Sequence, residues 1–220
     1  MTTRILCFGD SNTWGYEPGT ALRYGDSVRW PGVLQLLLGP AYTVIEEGLN
    51  GRTTVWEDPL MPGRNGKEYL LPCVESHRPF DLLIIALGTN DLKIKFSASP
   101  QDIARGFATL VKILRTAATE WGGRAPRVLL VAPPPIGKLT EFSEVFTGAA
   151  EKSSRLSAWI ERTARELDCE FLDAASLIAA DDRDGIHLSA DAHKTLAEAI
   201  AQKVLSLSSK DDKVTALHLR

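Results

Sequence analysis

The chain has 220 residues, 44% of them hydrophobic, and 25 Lys+Arg against 28 Asp+Glu give a net charge of −3. A chain of this length and apolar content buries a sizeable core without staples and is not a disordered protein. The near-balanced charge argues against a nucleic-acid binder, which needs a basic face for its phosphate contacts.

Met1-Thr2-Thr3-Arg4 runs directly into a short apolar strand, Ile5-Leu6-Cys7-Phe8, closed by Gly9-Asp10-Ser11-Asn12. That run is too short for the apolar region of a signal peptide. A helix is expected from about Val28 to Leu38, stopped by Gly39-Pro40, and a second strand from Tyr42 to Glu46. Arg52 to Val74 reads as a long loop punctuated by Pro and Gly. The longest apolar run, Leu82 to Leu87, is strand-sized, far short of a membrane span, and apolar on both faces as a central parallel strand must be. Ser99-Pro100-Gln101-Asp102 opens a long amphipathic helix that ends near Trp121-Gly122-Gly123. Arg127 to Ala132 is another buried strand, stopped by Pro133-Pro134-Pro135, and Pro133 to Ala150 is a second long loop. A helix from about Glu151 to Leu167, a strand Glu170-Phe171-Leu172 and a final helix capped by Ser189 and running to about Leu207 follow. Residues 1–207 thus read as one domain, and 208–220 as a tail, either disordered or set against a neighbouring subunit. Alternation of helices with five apolar strands predicts an α/β fold: a five-stranded parallel sheet covered on both faces in a flavodoxin-like three-layer sandwich.

The cysteines Cys7, Cys73 and Cys169 are odd in number and far apart, so no disulfide framework is expected and the reducing cytoplasm is the expected compartment. Among His77, His187, His193 and His218 no two share a helical ligand spacing, and no thiolate pair lies near them. No transition-metal site is expected.

In an open α/β sheet, ligands bind beyond the carboxyl ends of the strands. Three polar segments fall there: Gly9-Asp10-Ser11, Gly88-Thr89-Asn90-Asp91 and Asp184-Gly185-Ile186-His187. They bring a serine, an asparagine and an Asp/His pair to one end of the sheet, the inventory of acyl transfer. A serine hydroxyl is a poor nucleophile until an imidazole accepts its proton, and the imidazole needs a carboxylate to hold its tautomer.

Gly9-Asp10-Ser11, then Gly48 with Asn50-Gly51, then Gly88-Thr89-Asn90-Asp91, and finally Asp184-x-x-His187 resemble the blocks of the SGNH (GDSL) hydrolases, in the family's order and across nearly the whole chain. The absence of a Gly-x-Ser-x-Gly elbow agrees with this and counts against a standard α/β-hydrolase. The stretches Gly9 to Tyr16 and Glu46 to Thr54 resemble more narrowly the bacterial arylesterase/acyltransferase branch. The resemblance implies Ser11 as nucleophile, His187 as general base and Asp184 as its orienting carboxylate. It implies an oxyanion hole of the Ser11 N–H, a second-block N–H assigned to Gly51 with Gly48 as the alternative, and the Asn90 side chain. It also implies a serine esterase that cleaves short acyl and aryl esters, in some members with transfer to alcohols or peroxide, with no cofactor or metal and commonly as a homo-oligomer.

Other readings stand beside this one. Ser11 could cap a helix, Asn90 could close a strand, and Asp184 with His187 could be an exposed loop pair. Asp91 is read as structural, Asp10 as a loop-holding residue, and His193 as a surface residue. Trp14, Tyr16 and Trp56 flank the blocks and serve either as substrate-pocket walls or as core. Phe142 and Phe146 are open between lid, oligomer contact and core anchor. The rival activities are an acyl-CoA thioesterase, for which Arg52, Arg64 and Lys67 could meet CoA phosphates, and a carbohydrate O-deacetylase. A non-catalytic flavodoxin-like binding module is the rival from another class. The expected partner is a small-molecule ester, with neither nucleic acid nor membrane.

Overall fold

The computed structural model describes residues 2–122 and 125–218, with the side chains of 208–218 left aside. Five strands, β1 (Thr3–Gly9), β2 (Tyr42–Gly48), β3 (Leu82–Ala86), β4 (Arg127–Ala132) and β5 (Glu170–Asp173), pair in parallel in the order β2-β1-β3-β4-β5. The register sets Gly9 opposite Gly48 on one side and opposite Ala86 on the other, so the first three strands end level. The chain order reverses at β1, which is where such sheets open a crevice.

Side-chain alternation builds both faces. Leu6 and Phe8 of β1 join Leu83, Ile85 and Leu130 against α3 (Gly66–His77), α4 (Pro100–Glu120) and α6 (Leu156–Glu166). Ile5 and Cys7 join Ile84, Leu129 and Val131 against α2 (Trp30–Leu38) and α7 (Ala190–His218). Each Leu or Ile taken fully out of water there contributes roughly 1.5–3 kcal/mol. Among the described residues, no helix is long and apolar enough to cross a membrane.

The fold departs from the sequence reading in four places. The loop expected over Arg52 to Val74 contains most of α3, whose Asn65 cap accepts the Lys67 N–H at 3.1 Å. Pro72 lies inside that helix, and its usual reading as a stop is overridden because Leu70, Cys73 and Val74 bury one face in the core. The helix expected from Glu151 to Leu167 is two, α5 (Ala149–Ser154) and α6, separated at Arg155. The last helix does not stop near Leu207; its backbone continues through His218, and the last two residues of the supposed tail lie outside the described residues. Finally, His193 is fully buried. It falls on the α7 stripe of Leu196, Ala197 and Ile200, the spacing of a core face. Its Nδ1 accepts the Trp30 N–H at 3.2 Å, supplying an acceptor at the uncapped start of α2, and burial pushes its pKa down to about 4, with the nearby His187 adding to the shift.

Candidate active site

β1 delivers Ser11 to the top of the crevice. Asp10 caps the single turn α1 (Ser11–Trp14) by accepting the Asn12 N–H at 3.0 Å, which places Ser11 first in that turn. The Ser11 Oγ lies 3.0 Å from His187 Nε2, and His187 Nδ1 lies 2.7 Å from Asp184 Oδ2. The other carboxylate oxygen of Asp184 accepts the backbone N–H groups of Ile186 and His187, each at 2.9 Å. Burial would raise the Asp184 pKa, but the hydrogen bonds from His187 and Ile186 outweigh it and hold the carboxyl below its usual value. An ionised Asp184 keeps the proton on Nδ1 and leaves Nε2 free to accept from the serine. Ser11, Asp184 and His187 are only 4%, 0% and 6% exposed, so this chain of contacts is sheltered from bulk water.

Asn12, to which the sequence reading assigned nothing, ties the two halves of the site together. Its Oδ1 accepts the Leu188 N–H at 3.1 Å and its Nδ2 donates to the Ile186 carbonyl at 3.5 Å. The residue flanks Ser11 in the first motif, which was the available signal, but its partners are 174 and 176 positions away.

The second and third blocks meet beside Ser11. Asn90 Nδ2 donates to the Arg52 carbonyl at 3.1 Å, which occupies one of its two amide hydrogens and leaves the other for a substrate oxygen. Gly51, buried at φ +83°, turns the chain just before Arg52. Gly48 serves packing instead, since it closes the β1–β2 pairing and a Cβ there would lie 2.2 Å from the Trp14 nitrogen. Asp91, fully buried, accepts the Thr54 N–H at 3.0 and 3.2 Å and also the Thr54 hydroxyl, so it anchors the loop beyond Arg52.

Aromatic rings wall one side. Tyr16 stacks on the His187 ring at 4.0 Å between centroids, and Phe142 meets it edge-on at 6.1 Å. Trp14 and Trp56 have other neighbours: Trp14 lies 5.2 Å from the Arg23 guanidinium, and Trp56 stacks with Phe96. Phe146 is buried in the core.

Asp10 is 2% exposed, and burial raises its pKa to about 6, partly offset by the Asn12 N–H and by the charges of His187, Arg52 and Lys93. A carboxyl with a raised folded pKa contributes stability that is present below about pH 4 and lost as pH rises through 6. Asp10→Asn is therefore expected to gain stability relative to the parent by on the order of 2 kcal/mol between pH 4 and pH 7. Urea midpoints at the two pH values check this; a difference that does not change with pH refutes it.

A parallel sheet with a serine, an imidazole and a carboxylate in contact at its switch point is an arrangement found in serine hydrolases. The chain matches the GDSL-like Lipase/Acylhydrolase family over residues 7–195 and belongs to it; solved structures similar to it include a carbohydrate acetylesterase and an aryl esterase, and the protein is a carboxylic ester hydrolase. It is 43% identical to Est24, a carbohydrate acetylesterase from Sinorhizobium meliloti, with a TM-score of 0.91 over 94% of this chain and 100% of that one. It is 42% identical to the aryl esterase of M. smegmatis, with a TM-score of 0.90 and the same coverage. A G-D-S-L lipolytic protein from Veillonella parvula, at 16% identity and a TM-score of 0.64 over 91% of this chain and 97% of that one, shares the fold. No curated protein sequence matches. Membership of this family sets aside the non-catalytic flavodoxin-like module.

Proposed function

We propose that the protein is a serine esterase acting on short-chain acyl and aryl esters through an acyl-enzyme, with Ser11, His187 and Asp184 as its triad. The observation that carries this is the Ser11–His187–Asp184 contact chain, closed to bulk water. Ser11 Oγ attacks the ester carbonyl carbon as its proton passes to His187 Nε2. The Ser11 and Gly51 N–H groups and the Asn90 amide take up the negative charge on the carbonyl oxygen. The intermediate collapses, the C–O bond to the alcohol breaks, and the alcohol leaves with the proton from His187. Water, deprotonated by the same imidazole, then releases the acid and regenerates Ser11. The shelter of the site also favours transfer of the acyl group to a bound alcohol or to peroxide in place of water.

The short acyl preference is supported by the similarity to a carbohydrate acetylesterase and an aryl esterase. With p-nitrophenyl esters from acetate to palmitate, activity is expected to peak at acetate or butyrate; a maximum at palmitate refutes the reading. Asn90→Ala is expected to lower kcat on the order of 10²–10³-fold. A loss below tenfold removes Asn90 from the oxyanion hole.

The similarity to a carbohydrate acetylesterase favours a second reading, in which the acetyl group is carried by a sugar. Acetate release from acetylated sugars, compared with phenyl acetate at equal concentration, separates the two. The thioesterase reading loses its support at Arg52. That side chain is 2% exposed, donates to the Gly9 carbonyl at 2.9 Å and to the Glu47 carbonyl, and lies over the Phe8 ring. It is a structural strut and is not available to a CoA phosphate. Arg64 is likewise engaged with the carbonyls of Asn50 and Pro62.

A further inference from the structure

β2 ends in two glutamates whose side chains part ways. Glu46 ion-pairs with Arg29 and Arg23. Glu47, one residue on, meets α3, where Cys73 and His77 stand one helical turn apart and so face the same way. Glu47 Oε1 lies 2.7 Å from His77 Nε2, and the ligand atoms of Glu47, Cys73 and His77 all lie within 4.8 Å of one another. We propose that these three residues form a binding site for one borderline-soft divalent cation, Zn²⁺ by the chemistry of the donor set.

The geometry and charge fit that ion. Tetrahedral zinc with sulfur, nitrogen and oxygen ligands holds them roughly 3.3–3.6 Å apart, which the cluster reaches by parting the 2.7 Å His77–Glu47 pair by less than an ångström and closing separations of up to 4.8 Å by about an ångström. One thiolate and one carboxylate balance a 2+ charge, and the thiol proton leaves to solvent as the metal–sulfur bond forms. Calcium and magnesium demand oxygen ligands and do not suit the set. Cys73 is buried while the side chains of Glu47 and His77 are 19% and 29% exposed, so sulfur forms the floor and the ion enters from the other two ligands. The fourth position faces solvent. Tyr69 donates to the remaining oxygen of Glu47 at 3.3 Å, an outer contact of the kind that orients ligating carboxylates. The neighbouring guanidinium of Arg52 lies over the Tyr69 ring and donates to the backbone carbonyls of Gly9 and Glu47. The expectation of no metal site came from looking for paired histidines or paired cysteines. The Cys73/His77 spacing mixes the two, and only the fold supplies Glu47.

The test uses the full chain, stripped with a chelator and titrated with Co²⁺ as a spectroscopic stand-in for zinc. A thiolate-to-cobalt charge-transfer band that saturates at one equivalent, is displaced by Zn²⁺ and accompanies a zinc-dependent rise in Tm is expected. The band and the Tm rise are both expected to vanish in Cys73→Ser and in His77→Ala, the second of which alters a part-exposed side chain at the helix end and keeps the thiol. Both are expected to persist in Cys169→Ser. No band at a large excess of cobalt, with Tm unmoved by zinc, leaves a His77–Glu47 ion pair only and overturns the proposal. So does a band that survives in His77→Ala and Glu47→Gln.

Discussion

Ser11→Ala is expected to lower kcat for p-nitrophenyl acetate on the order of 10⁴–10⁶-fold while the protein stays folded. The two parts of this expectation have separate causes. Among the described residues, the hydroxyl is the only group at the top of β1 that hydrogen-bonds to the imidazole, at 3.0 Å, and it is the group placed to form the acyl-enzyme. Its structural contribution is that same single bond, and leaving Nε2 without a partner costs about 1 kcal/mol. In a chain of this size that shifts Tm by about 2–4 °C. A serine-directed phosphonate should label the parent at Ser11 and leave the variant unlabelled. Residual activity within tenfold of the parent, in protein that melts normally, removes Ser11 from the reaction.

Asp184→Asn is the second large effect, on the order of 10⁴-fold in kcat, and the local hydrogen bonds dictate why. One carboxylate oxygen of Asp184 receives two backbone N–H groups and the other faces His187 Nδ1. An amide replacing the carboxylate must put its oxygen toward the two N–H donors, because an NH₂ there would meet them head-on. Its NH₂ then faces Nδ1, which has to become an acceptor, and the ring proton moves to Nε2. The imidazole can no longer take the serine proton. Side-chain nitrogen spectra of His187 should show Nδ1 protonated in the parent and Nε2 protonated in the variant. Activity within tenfold of the parent with the proton still on Nδ1 would falsify this account of Asp184. The parent's dependence on acid has a matching sign. With its folded pKa depressed, Asp184 contributes stability that is present above the unfolded carboxyl value and lost as pH falls through the folded one.

Much of the fold was legible because its signals are local. Leu82 to Leu87 is apolar on both faces and became β3 in the centre of the sheet. Ser99, Pro100 and Asp102 announced α4, and the capping box is present. Where local signals conflicted with packing, packing prevailed. Arg52 to Val74, punctuated by Pro and Gly, read as a loop, yet most of α3 runs through it with Pro72 inside, since the apolar face of α3 is worth more than the one backbone hydrogen bond a proline removes. His193 looked like a surface residue as a lone histidine, although its place on the Leu196–Ile200 stripe was readable. Of the aromatics flanking the motifs, sequence position could not single out Tyr16, which stacks on His187, from Trp14 and Trp56, which do not.

The sequence by itself determined which residue types stand at the strand ends, and in what order, because strand length, breaker residues and short-range turns decide that within a few positions. It thereby assembled the candidate nucleophile, the amide and the Asp/His pair as an inventory. Only the tertiary structure decided how they meet. The loop carrying Asp184 and His187 reaches the first strand through Asn12, Arg52 is a buried strut between β1 and β2, and Glu47 faces α3. Each of these contacts joins residues far apart in the chain. Each depends on which strands lie side by side, and the apolar faces of the whole sheet choose that arrangement together.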